Sequence, residues 1–306
     1  MVRRDEEVLL YSTGAYGYLR DALLGAGRVA GTIERTDFPD GERMFRIVED
    51  VDGRDVALIG GTVDDEATLE LYDLATGLVA QGARRLTMVL PWFGYSTMER
   101  SVHRGEVVTA KARARLFSSL PPASYGNRML LLDLHSEGLP HYFEGELRAF
   151  HVYAKEIVKD AARALAGDDF VLACTDAGRA KWVESLANEL DTTVAFIFKR
   201  RLSGTETAVS STSARVEGKT VVIYDDIIRT GGSLAKAAQT YRDAGATRIF
   251  AIATHGIFPG GALGRLRDSG LFERIVVTDT HPRARELADG SFLEIRSVAS
   301  VFEPHL

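Results

Sequence analysis

The stretch Val221–Ser233, VVIYDDIIRTGGS, carries the densest chemistry in the sequence. Apolar residues run into two adjacent aspartates, Asp225 and Asp226, and then into Arg229, Thr230, Gly231, Gly232 and Ser233. Two carboxylates at the carboxyl end of a buried strand can accept hydrogen bonds from sugar hydroxyls or help to hold a hard cation such as Mg2+. The Thr-Gly-Gly-Ser that follows supplies two hydroxyls and two residues without Cβ, so backbone N–H groups can point inward at an anion. A helix is expected next, with the positive end of its dipole facing the same place. Together these residues describe a cradle for ribose and phosphate, with acids for the hydroxyls and the loop for the phosphate. An acid pair before a turn is also a common feature with no ligand behind it. The full order of strand, acids, Thr-Gly-Gly-Ser and helix is what makes the pattern specific.

Such a cradle needs a parallel sheet behind it. Short apolar runs at Val8–Ser12, Val56–Gly60, Arg85–Pro91 and Met129–His135 read as strands in the first half of the chain. Phe170–Thr175, Thr193–Lys199, Thr220–Asp226, Arg248–Gly256 and Arg274–Asp279 read as strands in the second. Their unbroken apolar character suits strands covered on both faces. Helix-like segments lie between them; in one, Leu234, Ala237, Ala238 and Tyr241 share a face and Gly245 supplies a stop. Alternating β and α segments predict a doubly wound α/β fold, twice over. The residues around Arg148–Phe170 read as a helical stretch between the two strand series. Leu202–Gly218, rich in Ser, Thr and Gly, reads either as a surface loop or as a flap beside a site.

The chain has 306 residues with 45% hydrophobic and 26% charged content, which suits two domains of about 150 residues. A net charge of −6 argues against a nucleic-acid surface, although it leaves room for a local basic pocket. Cys174 is the single cysteine, so no intramolecular disulfide forms, in keeping with a reducing compartment. The first residues carry acids among the bases and only a short apolar run, unlike a signal peptide. With no apolar run near about 18 residues, the expectation is a soluble cytoplasmic protein without a membrane partner.

The opening motif resembles the phosphoribosyl-diphosphate (PRPP) signature shared by type I phosphoribosyltransferases and PRPP synthetases. Other stretches, in order along nearly the whole chain, resemble the synthetases. FPDGE (Phe38–Glu42) is similar to their Phe-x-Asp-Gly-Glu, and PWFGY (Pro91–Tyr95) with EVVTAK (Glu106–Lys111) is similar to Pro-Tyr-Phe-Gly-Tyr and Glu-Pro-Ile-Thr-Ala-Lys. DLHS (Asp133–Ser136) resembles Asp-Leu-His-Ala, and FKRR (Phe198–Arg201) resembles Asp-Lys-Arg-Arg. ATHGIF and SGLFERIVVTDT also match in place.

That resemblance implies two tandem type I phosphoribosyltransferase-like domains, each a mainly parallel sheet flanked by helices, at 1–148 and 149–291. It implies that a tail from about 292 to 306 packs back on the first domain. The implied reaction moves the β,γ-diphosphoryl group of ATP to the 1-hydroxyl of ribose 5-phosphate, giving PRPP and AMP with Mg2+ as cofactor. Carried over residue by residue, Phe38, Asp40 and Glu42 would reach ATP from a neighbouring subunit, so a homo-oligomer, dimer or hexamer, is expected. Thr97, Met98, Glu99, Arg100 and His135 would belong to the ATP site, and Asp225, Asp226 and Arg229–Ser233 to ribose 5-phosphate. Asp176, Ala177, Gly178 and Arg179 would form the pyrophosphate loop, with His135 and Asp176 as metal ligands. Lys199 and Arg201 would be catalytic, closing over the triphosphate and stabilising charge during transfer. Taken alone, His135 suits an interior hydrogen bond equally well, Lys199 and Arg201 a solvated surface, and Asp176 a helix cap.

Three motifs depart from the family pattern. Thr97-Met98 stand where the family has Arg-Gln, and Glu99 where it has Asp, which removes a guanidinium and an amide from the nucleotide site. Arg229 replaces an Asp before the phosphate loop, and Arg179 replaces the second glycine of Asp-x-Gly-Gly. Two other readings stand beside the synthetase: a catalytically weak synthetase-like regulatory subunit, which the altered nucleotide loop favours, and a phosphoribosyltransferase, which only the opening motif favours.

Overall fold

The apolar runs become the inner strands of two parallel sheets. The structure, a computed structural model, describes residues 7–175, 180–201 and 207–306. Its residues divide into two compact units, Met1–Tyr153 with Ser297–Leu306, and Ala154–Arg296.

In the first unit the strands are β1 (Val8–Ser12), β2 (Arg28–Ala30), β3 (Ile33–Asp37), β4 (Arg43–Ile47), β5 (Asp55–Ile59), β6 (Arg85–Leu90), β7 (Asn127–Leu132) and β8 (Leu147–Val152). Six of them form a sheet in the order β2-β1-β5-β6-β7-β8, every pair parallel, while β3 and β4 form a separate antiparallel hairpin. Helices α1 (Gly17–Ala22), α2 (Asp65–Ala80) and α3 (Thr109–Ser118) connect them. The α2 start is built locally: Asp64 accepts from the Ala67 N–H, and Asp65 and Glu66 sit in the positive first turn. Its apolar face, Leu71, Leu74, Ala75 and Leu78, packs on the buried residues of β5 and β6.

The second unit repeats the plan. Helix α4 (Lys155–Ala166) leads into β9 (Val171–Cys174), α5 (Ala180–Leu190), β10 (Thr193–Ala195), β11 (Ile197–Arg201), β12 (Thr207–Thr212), β13 (Thr220–Ile228) and α6 (Gly232–Asp243). Then come β14 (Arg248–Gly256), α7 (Ala262–Asp268), β15 (Arg274–Thr278), α8 (Pro282–Leu287) and β16 (Leu293–Arg296), while α9 (Ala299–Phe302) lies in the first unit. The sheet order is β10-β9-β13-β14-β15-β16, again all parallel, with β11 and β12 as a separate antiparallel hairpin. Counted along the chain, each sheet therefore runs second, first, third, fourth, fifth, sixth, and each inserts its hairpin between the second and third of those strands. Along β13, Val221 and Ile223 join the core that includes α6, and Val222 and Tyr224 join the core that includes α4 and α5.

Several sequence expectations are corrected. The stretch around Arg148–Phe170 is helical only from Lys155; Leu147–Val152 is an edge strand in which burial falls on alternate or terminal positions. That strand carries the first sheet through Val152, and the compact units divide after Tyr153. The expected strand Thr193–Lys199 splits into β10 and β11, which pair with different partners. Part of the expected loop Leu202–Gly218 is the strand β12; residues 202–206 lie outside the described residues. β13 runs two residues beyond Asp226, because Ile227 and Ile228 continue the ladder opposite His255 and Gly256.

Tyr241 on α6 ties the helix to two strand ends, its hydroxyl lying 3.2 Å from the carbonyl oxygens of both Cys174 and Ala195. Burial holds this phenol above its ordinary pKa, so it stays a neutral donor. Tyr241→Phe is expected to lower stability by about 1 kcal/mol, since two buried carbonyls lose their shared donor. Urea unfolding checks this, and an unchanged midpoint with unchanged cooperativity would show that the hydroxyl does not brace the strand ends.

Candidate active site

In the second unit the candidate site is assembled at the carboxyl ends of β9 and β13, where parallel sheets present ligands. Asp225 and Asp226 still belong to β13, and Asp226 is buried. Arg229 and Thr230 are exposed in the turn that follows. Gly231 has φ +76°, and a Cβ there would lie 2.8 Å from Leu266, so both backbone and space require glycine. Helix α6 begins at Gly232, earlier than the sequence suggested, which places Gly232 and Ser233 inside its first turn. The first bond back to the turn is Ala235 N–H to the Gly231 carbonyl, at 2.8 Å. The N–H groups of Gly232, Ser233 and Leu234 precede it and have no acceptor within the helix. With the Thr230 and Ser233 hydroxyls beside them, they form an anion cradle on a helix of 12 residues.

The acid pair is held from a neighbouring strand. Tyr224 pairs with Cys174 in the β13–β9 register, which brings the next residues, Asp225 and Thr175, side by side. Thr175 Oγ1 donates to Asp225 Oδ2 at 3.1 Å, and the Asp226 N–H donates to Asp225 Oδ1 at 3.0 Å. Beneath them Tyr224 stacks on Trp182 with ring centroids 4.2 Å apart, and its hydroxyl pairs with that of Thr254. Sequence reasoning placed Thr175 at a strand end and Tyr241 on a packed helix face, but missed the hydrogen bonds that their hydroxyls make. Only the strand register, or the hydroxyl placed just before Asp176, could have singled out Thr175.

The first unit positions the other expected residues on three loops. Phe38–Glu42 is the tip of the β3–β4 hairpin, closed by Phe38 N–H to the Glu42 carbonyl at 2.8 Å and by Glu42 N–H to Asp40 Oδ1 at 3.1 Å. Phe38 is exposed at this tip. Thr97–Arg100 follow β6, after a turn in which Tyr95 has φ +63° and the Met98 N–H donates to the Tyr95 carbonyl. Gly94 of that loop passes so close to Thr62 that a Cβ would lie 2.2 Å from the Thr62 carbonyl oxygen. Met98 and Arg100 are exposed, with Arg100 3.5 Å from Glu99. His135 follows β7 and is exposed, one step beyond Leu134, whose N–H donates to His151 Nε2 at 2.8 Å. Asp133 takes φ +38° to turn the chain there. The Tyr142 hydroxyl donates to the Glu99 carbonyl at 2.6 Å, so the loop after β6 and the segment after His135 are joined.

Lys199 and Arg201 lie on β11, whose backbone pairs with β12 and shifts register between Phe198 and Lys199. Asp176, Ala177, Gly178 and Arg179 lie outside the described residues. Among the described residues no three His, Cys, Asp or Glu side chains form a metal cage. Mg2+ does not require one, since it binds through one or two protein groups with phosphates and water. Among the described residues no helix is long and apolar enough to cross a membrane.

Known proteins with this arrangement are consistent with one another. Residues 23–120 match the model for the N-terminal domain of ribose phosphate pyrophosphokinase, and residues 211–299 match that of the phosphoribosyl synthetase-associated domain. A ribose-phosphate pyrophosphokinase of Synechococcus elongatus is 35% identical over 260 residues, covering 84% of this chain and 76% of the relative. The chloroplastic ribose-phosphate pyrophosphokinase 1 of rice is 31% identical over 98% of this chain and 75% of its own length. The crystal structure of phosphoribosylpyrophosphate synthetase from Mycobacterium smegmatis superposes with a TM-score of 0.85 at 26% identity, over 98% of this chain and 97% of that one. Two tandem phosphoribosyltransferase-like domains are therefore the fold of this chain.

The buried acid gives the second unit a pH signature. Burial first, and then the negative charge of Asp226, raises the Asp225 pKa well above the ordinary carboxylate range; Thr175 pulls it partly back. The native state therefore keeps a proton on Asp225 that the unfolded chain has released. Its contribution to stability is complete below the ordinary carboxylate pKa and is lost as pH rises through the raised one. Asp225→Asn carries no such titration. In metal-free buffer its melting temperature relative to the parent is expected to rise between pH 5 and pH 8. A difference that stays constant across that range would contradict the buried-acid assignment.

Proposed function

The chain belongs to the ribose-phosphate pyrophosphokinase family, and from that membership we propose that it transfers the β,γ-diphosphoryl group of ATP to the 1-hydroxyl of ribose 5-phosphate. PRPP and AMP are the products. The observation that carries the reading is the acid pair on β13, Asp226 buried and Asp225 half-buried, running directly into the α6 anion cradle. The cradle of Thr230–Ser233 suits a 5-phosphate, and Asp225 and Asp226 suit the ribose hydroxyls, which leaves the 1-hydroxyl to be aimed at ATP. The 1-hydroxyl gives up its proton to solvent as its oxygen bonds to the β-phosphorus, the bond from that phosphorus to the α,β-bridging oxygen breaks, and AMP leaves with that oxygen. An anionic donor must meet a nucleophile without repulsion, so positioning and positive charge dominate the catalysis.

Phe38, Asp40, Glu42, Thr97, Met98, Glu99, Arg100 and His135 are assigned to ATP; the exposed Phe38 and the exposed loop after β6 support this. With Thr97 and Met98 in place of Arg-Gln, Arg100 supplies a guanidinium two residues beyond Met98. His135 and Asp176 are assigned to Mg2+, which when bound offsets the charge of the phosphates. Ala177, Gly178 and Arg179 complete the pyrophosphate loop with Asp176, and Lys199 and Arg201 are the catalytic cations. A hairpin tip serving a neighbouring ATP site requires a homo-oligomer, and the chain is assigned to the cytoplasm.

Arg229 is the distinctive element, an exposed cation at the mouth of the phosphate cradle. Its charge favours a phosphate dianion, an interaction of about 1 kcal/mol in exposed surroundings.

Purified protein mixed with ATP, ribose 5-phosphate and Mg2+ should form AMP and PRPP in equal amounts; no AMP would refute the reading. Lys199→Ala is expected to lower kcat by at least about 100-fold, whereas a regulatory subunit would lose nothing. Arg229→Asp should raise KM for ribose 5-phosphate by about five- to tenfold and leave KM for ATP unaltered; equal changes in both constants would remove Arg229 from the sugar-phosphate site.

A further inference from the structure

We propose that Thr175 is a positioning residue for the transfer reaction, its hydroxyl fixing the Asp225 carboxylate in the orientation that receives the ribose hydroxyls. This rests on the reading of Asp225 as a ribose-binding group. Thr175 closes the end of β9, is 6% exposed, and lies beside Asp225 because of the β9–β13 register. Its Oγ1 holds Asp225 Oδ2 at 3.1 Å, while the backbone of Asp226 holds Oδ1 at 3.0 Å. Each carboxylate oxygen has two lone-pair directions, and each spends one on these bonds. Both oxygens are thus held in a geometry set by two strands together. A β-branched donor suits this task, because its χ1 is stiff and its hydroxyl direction is set by the strand.

The same residue couples the acid to the phosphate cradle. The carbonyl of Cys174, immediately before Thr175, accepts from Tyr241 on α6, the helix whose first turn contains Gly232 and Ser233. The backbone leading to Thr175 is therefore tied to the cradle helix, and its side chain is tied to the acid. Sugar hydroxyls and 5-phosphate, at opposite ends of one substrate, then meet groups whose separation is fixed before binding. The cost of ordering Asp225 is met on folding rather than on binding, which lowers KM.

Steady-state kinetics of Thr175→Val and Thr175→Ser separate positioning from mere packing. The valine keeps shape and removes the donor; it is expected to raise KM for ribose 5-phosphate about tenfold, with KM for ATP within about twofold. Serine restores the hydroxyl and should return KM to within about twofold of the parent value. If the valine variant does not fold, Thr175→Ala takes its place, since a smaller side chain cannot overfill the site. In an Asp225→Asn background the Thr175 substitution should add almost nothing, because the two act as one unit. An unchanged KM for ribose 5-phosphate, a serine variant as impaired as valine, or additive effects in the double variant would each overturn the proposal. The parent enzyme run alongside separates the two readings: parent turnover with unaltered Thr175→Val kinetics defeats the positioning role alone. Absence of parent turnover defeats both.

Discussion

The second unit depends on β13, paired with β9 as far as Tyr224 and with β14 to its end, as it carries two carboxylates towards the end of the sheet where parallel strands present ligands. Pairing with β14 runs on past the point where the side chains turn from apolar to acidic, while pairing with β9 stops at Tyr224, one residue before it. The pairing is what prevents Asp225 and Asp226 from swinging out to water, and so what makes them costly and useful at once. A carboxylate in that place loses solvation, meets a like charge, and regains only part of the loss from Thr175 and one backbone N–H.

The two units share one topology and diverge at the same place within it. In the second unit the third strand of the sheet ends in acids and the α6 cradle. In the first, the corresponding strand β5 ends in Gly60, Gly61 and Thr62 and leads into α2, whose first turn is served by the side chain of Asp64. A Cβ at Gly61 would lie 2.1 Å from the Tyr16 hydroxyl oxygen, so that ring occupies the space over the glycine. The first unit therefore presents its candidate chemistry on the loops after β6 and β7 instead. The inserted hairpins are likewise equivalent in position, one tipped by Phe38–Glu42 and the other containing Lys199 and Arg201. One architecture has been given two sets of loops, so that one sheet plan carries two different sets of candidate site residues.

The departures from the family pattern cluster on loops rather than on strands. Thr97, Met98 and Arg229 all lie just beyond strand ends, where side chains can change without disturbing the ladder. Their common feature is a change of charge: the nucleotide loop loses a guanidinium, and the mouth of the phosphate cradle gains one. Sheet and core are the same solution with a different electrostatic surface laid upon it.

The sequence by itself determined the alternation of strands and helices, the two-fold plan, and the motif order that points to ribose and phosphate. Local patterns suffice for these, because an apolar run, an acid pair or a Gly-Gly turn is legible within a few residues. Edge strands such as β8 and β16, and the hairpins, were not legible, since half-exposed strands lack the continuous apolar signal and owe their shape to a neighbour. The distinction between the two aspartates was also invisible, as was the part played by Thr175. These follow from the register of β9 against β13, a pairing between residues about fifty positions apart in the chain. Only the tertiary structure decided them, because hydrogen bonding between strands depends on which residues meet and not on which residues follow one another.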